Sequence, residues 1–331
     1  MDLTRRLDTF LVCAVAAVLG NRTFLIITGY PQLGNGTLHI SHAIWGALMM
    51  MIALFVAIAY VPPKTRMFVA FLGGAGFGWF IDELGKFITQ EVNYFYQPTI
   101  ALIYIVFVAF YLIARNVERK SFTADEAVLN ALEALKSASL GELDETRRAE
   151  TLALLETTGA TGRVADDVRR LLADVPALPP RDPGRFGKAG HAIRARYLDL
   201  GTKRGFVRTV IVIMVIFAAG AVLTALALAF DRSGVHGFAD WASVVSSAIS
   251  GAFILLGCFE LRRSRVRAYR WFDRGLLIEI LVTQVFVFAK YQLEGIFGLA
   301  FTIILWLAVR SAMHAEEERD ALAAIEPVRV P

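Results

Sequence analysis

The chain has 331 residues, 56% of them apolar and 19% charged, with a formal net charge of +4. Soluble globular domains run near 45–50% apolar and about 25% charged, so both departures point toward lipid and away from a soluble single-domain enzyme. The charges gather near 115–206, in Arg262–Arg274 and at the two ends, leaving apolar stretches long enough for helices to cross ~30 Å of hydrocarbon.

Those stretches predict an all-α, polytopic integral membrane bundle of about eight transmembrane helices with a small soluble helical insertion. The expected spans are 8–28, 39–61, 66–89, 97–114, 207–229, 240–260, 271–290 and 294–313. They divide the chain into a first transmembrane half (1–114), a helical domain (115–182), a basic amphipathic helix (183–206), a second transmembrane half (207–313) and a tail (314–331).

The first span follows Arg5 and Arg6 and shows no small-x-small cleavage pattern, which reads as a retained segment and not a cleaved leader. Asn21 and Arg22 interrupt it, so a re-entrant or half-length helix is the alternative. The sequons at Asn21 and Asn35 fall in the connector that follows and would matter only in a secretory-pathway host. Cys13 and Cys258 each sit in an apolar run and read as small core residues.

The second span opens with His39 and His42, three residues apart and so on one helical face. The third holds Asp82, Glu83 and Lys86, preceded by Gly74-Ala75-Gly76-Phe77-Gly78, a small-xxx-small pattern that lets a neighbouring helix approach closely. A charge at membrane depth costs roughly 2.5–3.5 kcal/mol on insertion scales, so each needs a reason. Asp82, Glu83, Lys86, His42 and Arg22 are expected at one membrane face. They suit a proton or cation relay. His39, His42, Asp82 and Glu83 would alternatively suit a divalent metal, Zn²⁺ or Fe²⁺, that activates water in a membrane-embedded hydrolase. The third reading is structural: Asp82 with Lys86, Arg22 with Glu83.

In the central domain, Thr123-Ala124-Asp125-Glu126 has capping-box spacing and opens a helix with Val128, Leu129, Leu132 and Leu135. A second helix starts near Asp144 and ends at Gly159; a third carries Val164, Val168, Leu171 and Leu172. Residues 123–175 are the expected module for a protein partner or for self-association, which would make the protein an assembly or signalling scaffold. Past Pro176, Pro179, Pro180 and Pro183, a stripe of Phe186, Ile193, Tyr197 and Leu200 faces away from a row of Lys and Arg. Such a helix lies in the headgroup layer, or else packs on the soluble domain.

In the second half, Glu279 stands without a basic residue near it in its own span, so it takes a partner from another element, such as the arginines of 262–274, or stays protonated, while Lys290 and Glu294 are placed to pair with each other. Ala43-Ile44-Trp45-Gly46-Ala47 and Thr89-Gln90 have counterparts in Ala248-Ile249-Ser250-Gly251-Ala252 and Thr283-Gln284, the pattern of a four-plus-four duplication.

Basic connectors alternate with connectors poor in Lys and Arg, which places both termini and 115–206 in the cytoplasm of an inner (plasma) membrane protein. Anionic headgroups are the expected partners of 185–204 and 262–274, and no nucleic-acid partner is needed to explain the positive charge. Hydrolase, phosphate-loop and dinucleotide signatures are absent. The leading expectation is transport or permeation of a small cation or polar solute.

Overall fold

The computed structural model describes residues 2–29, 34–35, 38–39, 41–60, 63–84, 88, 98–119, 122–139, 141, 143–176, 178, 185–230 and 237–325. Nearly all of these are helical; a two-residue antiparallel pair, β1 (Gly34–Asn35) with β2 (Leu38–His39), is the exception among regular elements. Four helical stretches are long and apolar enough to cross a membrane: His42–Ala59, Thr99–Val117, Phe238–Glu260 and the continuous run Arg265–Glu317. That last run contains two of the expected spans, 271–290 and 294–313. Gly205–Gly220 is apolar but shorter. The 8–28 segment is diluted by Asn21 and Arg22, and part of 66–89 lies outside the described residues.

The chain forms two compact units, Met1–Ile81 with Phe110–Gly187, and Asp82–Ala109 with Lys188–Pro331. The first unit holds α1 (Asp2–Thr28), α2 (His42–Ala59) and most of α3 (Pro63–Asp82). It also takes the C-terminal part of α4 (Thr99–Arg119). Ser41 caps α2, its hydroxyl accepting from Ala43 N at 3.2 Å.

Helix α3 packs through glycine. Gly74 and Gly78, one turn apart, meet the α1 backbone at Phe10 and Ala14, where an added Cβ would strike a carbonyl oxygen. Gly46 and Gly76 are reciprocal across the α2–α3 crossing: a Cβ on Gly46 would fall 2.6 Å from Gly76 O, and one on Gly76 would fall 2.7 Å from Gly46 O. Backbone lies directly on backbone, as the small-xxx-small pattern predicts. Beside the crossing, the rings of Phe10, Phe77 and Phe110 cluster with centroids 5.3–6.1 Å apart, and Arg115 pairs with Asp8 at 3.1 Å.

The helical domain belongs to this unit and comprises α5 (Ala124–Ser139), α6 (Glu145–Thr157) and α7 (Arg163–Asp174). The capping box forms: Thr123 N donates to Glu126 Oε2 at 2.9 Å and Glu126 N to Thr123 Oγ1 at 3.3 Å. Asp144 caps α6 through Arg147 N at 2.8 Å. The buried face of α5 differs in part from the expected one: Val128 and Leu135 pack against the core, partly buried, and Leu129 and Leu132 do not. Ala127, Ala131 and Ala134 fill the core with Leu143, Leu155, Val168 and Leu172, while Leu129, Leu132, Val164 and Leu171 are exposed. Alanine lines the inner face of α5 because the leucines that fill the core come from α6, α7 and Leu143, and close packing leaves room for only small side chains opposite them. Arg66 of α3 forms an ion pair with Glu133 of α5.

The second unit contains α8 (Arg185–Thr202) from Lys188 onward, α9 (Arg204–Phe230) and α10 (Phe238–Glu260). Helix α11 (Arg265–Ile278) runs through a π-helical turn (Glu279–Thr283) into α12 (Gln284–Tyr291). After a 3₁₀ turn at Gln292–Glu294 comes α13 (Gly295–Ile325). Met214, Ile254, Tyr269, Phe272, Leu276 and Val309 form its core. Gly257 of α10 makes room for the Phe272 ring, and Gly275 of α11 sits close to Ile254.

Helix α8 packs in part on α13: Tyr197 Oη donates to Leu307 O at 2.8 Å and Ser311 Oγ to Tyr197 O at 2.5 Å. Burial pushes the Tyr197 phenol above its ordinary range while the nearby Arg310 acts in the opposite direction. Ile193 remains 71% exposed, so the apolar stripe is only partly covered. At one end of the unit the arginines of the α10–α11 connector and early α11 meet carboxylates, Arg265 with Glu316 at 3.5 Å, Arg267 with Glu260 at 3.7 Å and Arg270 with Glu317 at 3.2 Å.

Candidate functional site

The residues expected to carry chemistry fall in both units. In the first, Arg22 is buried and His42 half-buried on α1 and α2, and both are engaged by neighbours. His39 lies in β2, its side chain outside what is described, as is Lys86 altogether. In the second, Asp82 and Glu83 are fully buried at the end of α3 and likewise engaged. Among the described residues no three of His, Cys, Asp and Glu gather into a metal-binding group. The first unit also has an open cleft of about 620 Å³ between α1, α2 and α3, walled by Phe10, Ala53, Ala57 and Gly73 with Arg6 and Arg66 beside it.

The best-defined polar site surrounds Glu279, which is 8% exposed. Glu279 opens the π-helical turn, where the helix holds one residue more per turn than an α-helix and backbone carbonyls lose their α-helical partners. A carbonyl of this turn, Ile280 O, accepts from Tyr104 Oη at 2.5 Å, and the Tyr104 ring packs edge-on against Phe288 at 5.0 Å. Tyr104 thereby braces the widened turn from α4.

Helix α10 supplies the opposite wall. Ser243, Ser246, Ser247 and Ser250 follow the i, i+3, i+4, i+7 spacing of one helical face. Ser247, Ser250 and Thr283 place hydroxyls within hydrogen-bonding reach of the Glu279 carboxyl. Ser250 Oγ donates to Gly275 O at 2.9 Å; Thr283 Oγ1 donates to Ser246 Oγ at 2.9 Å, and Ser246 Oγ in turn to Ala242 O at 2.8 Å. One turn further on, Gln284 Nε2 donates to Gly295 O at 2.9 Å, fastening α12 to the start of α13.

Two sequence expectations are corrected here. The arginines of 262–274 do not reach Glu279: the groups acting on its carboxyl are hydroxyls, and no charged side chain among the described residues contributes. Arg265, Arg267 and Arg270 are drawn instead to Glu316, Glu260 and Glu317 at the end of the unit, and Arg274 lies over the Trp271 ring. Nor does Lys290 take Glu294. It pairs with Asp240 at 2.6 Å, because the antiparallel course of α10 and α12 brings the N-terminal turn of one beside the C-terminal turn of the other. Sequence reasoning overlooked Ser246, Ser247, Thr283 and Tyr104, although the serine spacing on α10 was the available signal. It also overlooked Asp273 of α11, which accepts from Trp306 Nε1 at 2.9 Å and lies 3.8 Å from Arg310.

No protein-family model, curated protein or solved structure matches the chain. Fold and site together define a helical protein with the apolar helices of a membrane protein and a buried carboxyl faced by hydroxyls.

Proposed function

We propose that the protein is a polytopic transporter of the inner (plasma) membrane that moves a small cation or polar solute, with Glu279 as the residue that carries it. One observation bears most of the weight: a carboxyl buried in an apolar helix, on a π-helical turn, among hydroxyls and without a charged partner among the described residues. A carboxylate kept only for structure is ordinarily matched by a cation, as half-buried Asp273 is by Arg310. Leaving Glu279 unmatched at this depth is costly and marks exchange of a mobile positive charge.

The wider reading has about eight crossings, both termini and 115–206 on the cytoplasmic side, and Asp82 with Glu83 as a second polar station. Alternation of basic connectors supports it. The pairing of Lys290 with Asp240 also fits, since the topology puts 231–239 and 289–294 on one side. Exposed Ile193 beside exposed Lys188 and Arg196 supports contact of α8 with anionic headgroups.

The test is flux in vesicles containing purified protein under an imposed proton or Na⁺ gradient. Glu279→Gln is expected to cut the wild-type flux by roughly tenfold or more, the scale of losing a residue that carries the charge. Equal flux through wild type and variant overturns the proposal. Asp82→Asn and Glu83→Gln in the same assay decide whether the second station takes part.

A further inference from the structure

The cleft of the first unit has a charged mouth and an apolar floor. Helices α1 and α3 run parallel, with Phe10 on Gly74 and Ala14 on Gly78, while α2 runs against them, with Ala53 at Gly73 and Gly46 at Gly76. That course brings the early turns of α1 and α3 and the end of α2 to one level. Arg6, Tyr60, Thr65 and Arg66 therefore share the mouth. Gly73, two helical turns along α3 from Arg66, lies about 10 Å further in at 1.5 Å per residue. It forms the floor, where a Cβ added to it would stand 3.7 Å from both Ala53 and the Phe10 ring.

Both arginines are drawn against this cleft. Arg6 and Arg66 are half-buried, whereas Arg5, the neighbour of Arg6 on α1, is exposed. Leu54, Ala57, Val69 and Ala70 wall the space between mouth and floor, and no carboxylate lines it among the described residues. Arg66 is oriented by its ion pair with Glu133 of α5. A guanidinium carries five donors in a planar fork, so one carboxylate contact at Nη1 does not exhaust it.

Positive charge at the mouth and hydrocarbon on the walls complement the two halves of an amphiphile with an anionic head. Arginine suits phosphate because its fork matches two phosphate oxygens at once, and the Tyr60 and Thr65 hydroxyls add neutral donors. In the topology above, this end of the unit meets the cytoplasmic leaflet, whose surface is negative. Basic pockets between helices on that side are where anionic headgroups are held.

We propose that the cleft between α1, α2 and α3 binds an anionic phospholipid, its phosphate held by Arg6 and Arg66 and the start of an acyl chain laid past Ala57 toward Gly73. The site involves neither α8 nor the arginines of 262–274. The proposal rests on the membrane part of the reading above and not on Glu279.

The test uses the full-length protein in detergent micelles containing phosphatidylglycerol or phosphatidylcholine with a photoactivatable diazirine on one acyl chain, the adducts being located by peptide mass spectrometry. The phosphatidylglycerol probe is expected to label the peptides of Phe10, Ala53 and Gly73 about tenfold or more over the phosphatidylcholine probe, the combined effect of two basic residues on an anionic headgroup. Unlabelled phosphatidylglycerol should displace it, and inorganic phosphate should not. Arg6→Gln and Arg66→Gln should each lower cleft labelling about fivefold. Arg5→Gln removes the same charge outside the cleft and should leave labelling unchanged. Because Arg66→Gln also breaks the pair with Glu133, Ala57→Trp serves as a second variant. It keeps both arginines, fills the cleft from an exposed position and should abolish labelling of these peptides.

Equal labelling by the two probes overturns the proposal, as does labelling that survives Ala57→Trp. Displacement by inorganic phosphate also overturns it and marks a site for free phosphate. A carbonate wash of membranes separates the two readings. A chain that stays in the membrane yet shows no preference between the probes loses the lipid site alone, and a chain released by the wash loses the membrane reading with it.

Discussion

Glycine does different things at the α1–α2–α3 crossings of the first unit and between α10 and α11 of the second. In the first, Gly46, Gly74, Gly76 and Gly78 bring backbone against backbone. In the second, Gly257 makes room for an aromatic ring, and Ser250 beside Gly275 turns a hydroxyl onto the neighbouring helix. At the crossings of the first unit backbone atoms fill the space between the helices, and the cleft of that unit opens beside them at Phe10, Ala53 and Gly73. Between α10 and α11 the glycines accommodate side chains of the facing helix, and one turn beyond Gly275 the hydroxyls of α10 come to surround Glu279. The carboxylates of the second unit differ as well: Asp273 has Arg310 and Trp306, whereas Glu279 has hydroxyls and no charged partner among the described residues.

This contrast can be broken experimentally, most forcefully at the backbone contacts. Gly74→Ala and Gly78→Ala should each cost about 1–3 kcal/mol of unfolding free energy in detergent, because a carbonyl of α1 must shift. Gly46→Ala and Gly76→Ala act at one crossing, so their combined cost should fall below the sum of the two. Next comes Gly257→Ala, which displaces the buried Phe272 ring and should cost about 1–2 kcal/mol, a rotamer shift relieving part of the strain. Thr283→Val removes the bond to Ser246 at near-constant volume and should cost about 1 kcal/mol by equilibrium unfolding. Glu279→Leu should change stability by less than about 1 kcal/mol, or raise it, while abolishing flux, since apolar replacement of a buried charge is often neutral. The smallest effect, with the opposite sign, belongs to Gly20→Ala. A Cβ there meets nothing within 4 Å, and helix propensity alone should stabilise by about 0.5–1 kcal/mol.

Much of the helical architecture was legible because it rests on local rules. Composition marks the apolar helices, Thr123 with Glu126 and Asp144 mark helix starts, and Gly74 with Gly78 marks a close crossing. The alanine core of the domain was not legible. Leu129 and Leu171 have the hydrophobicity of core residues, and only the helix spacing decides that they stay outside. The candidate site was half legible. Glu279 stood out as a charge needing a reason, but its surroundings depend on a π-helical turn and on a serine face from a helix some thirty residues earlier in the chain. Neither has a signature in the residues next to Glu279. Lys290 paired wrongly on paper because i,i+4 spacing was read on a helix that the 3₁₀ turn at Gln292–Glu294 interrupts.

The π-helical turn can also be viewed as an inserted residue. An α-helix advances about 100° per residue, so deleting one residue within 279–283 would let the turn close into an α-helix and rotate everything after it by that angle relative to α11. Gln284 would swing away from Gly295, and Phe288 away from Tyr104. A single helix thus offers one face to the core of its unit through Phe272 and Leu276, and a differently phased face to α13 through Gln284. The phase shift falls at Glu279, the residue on which both faces depend for their register.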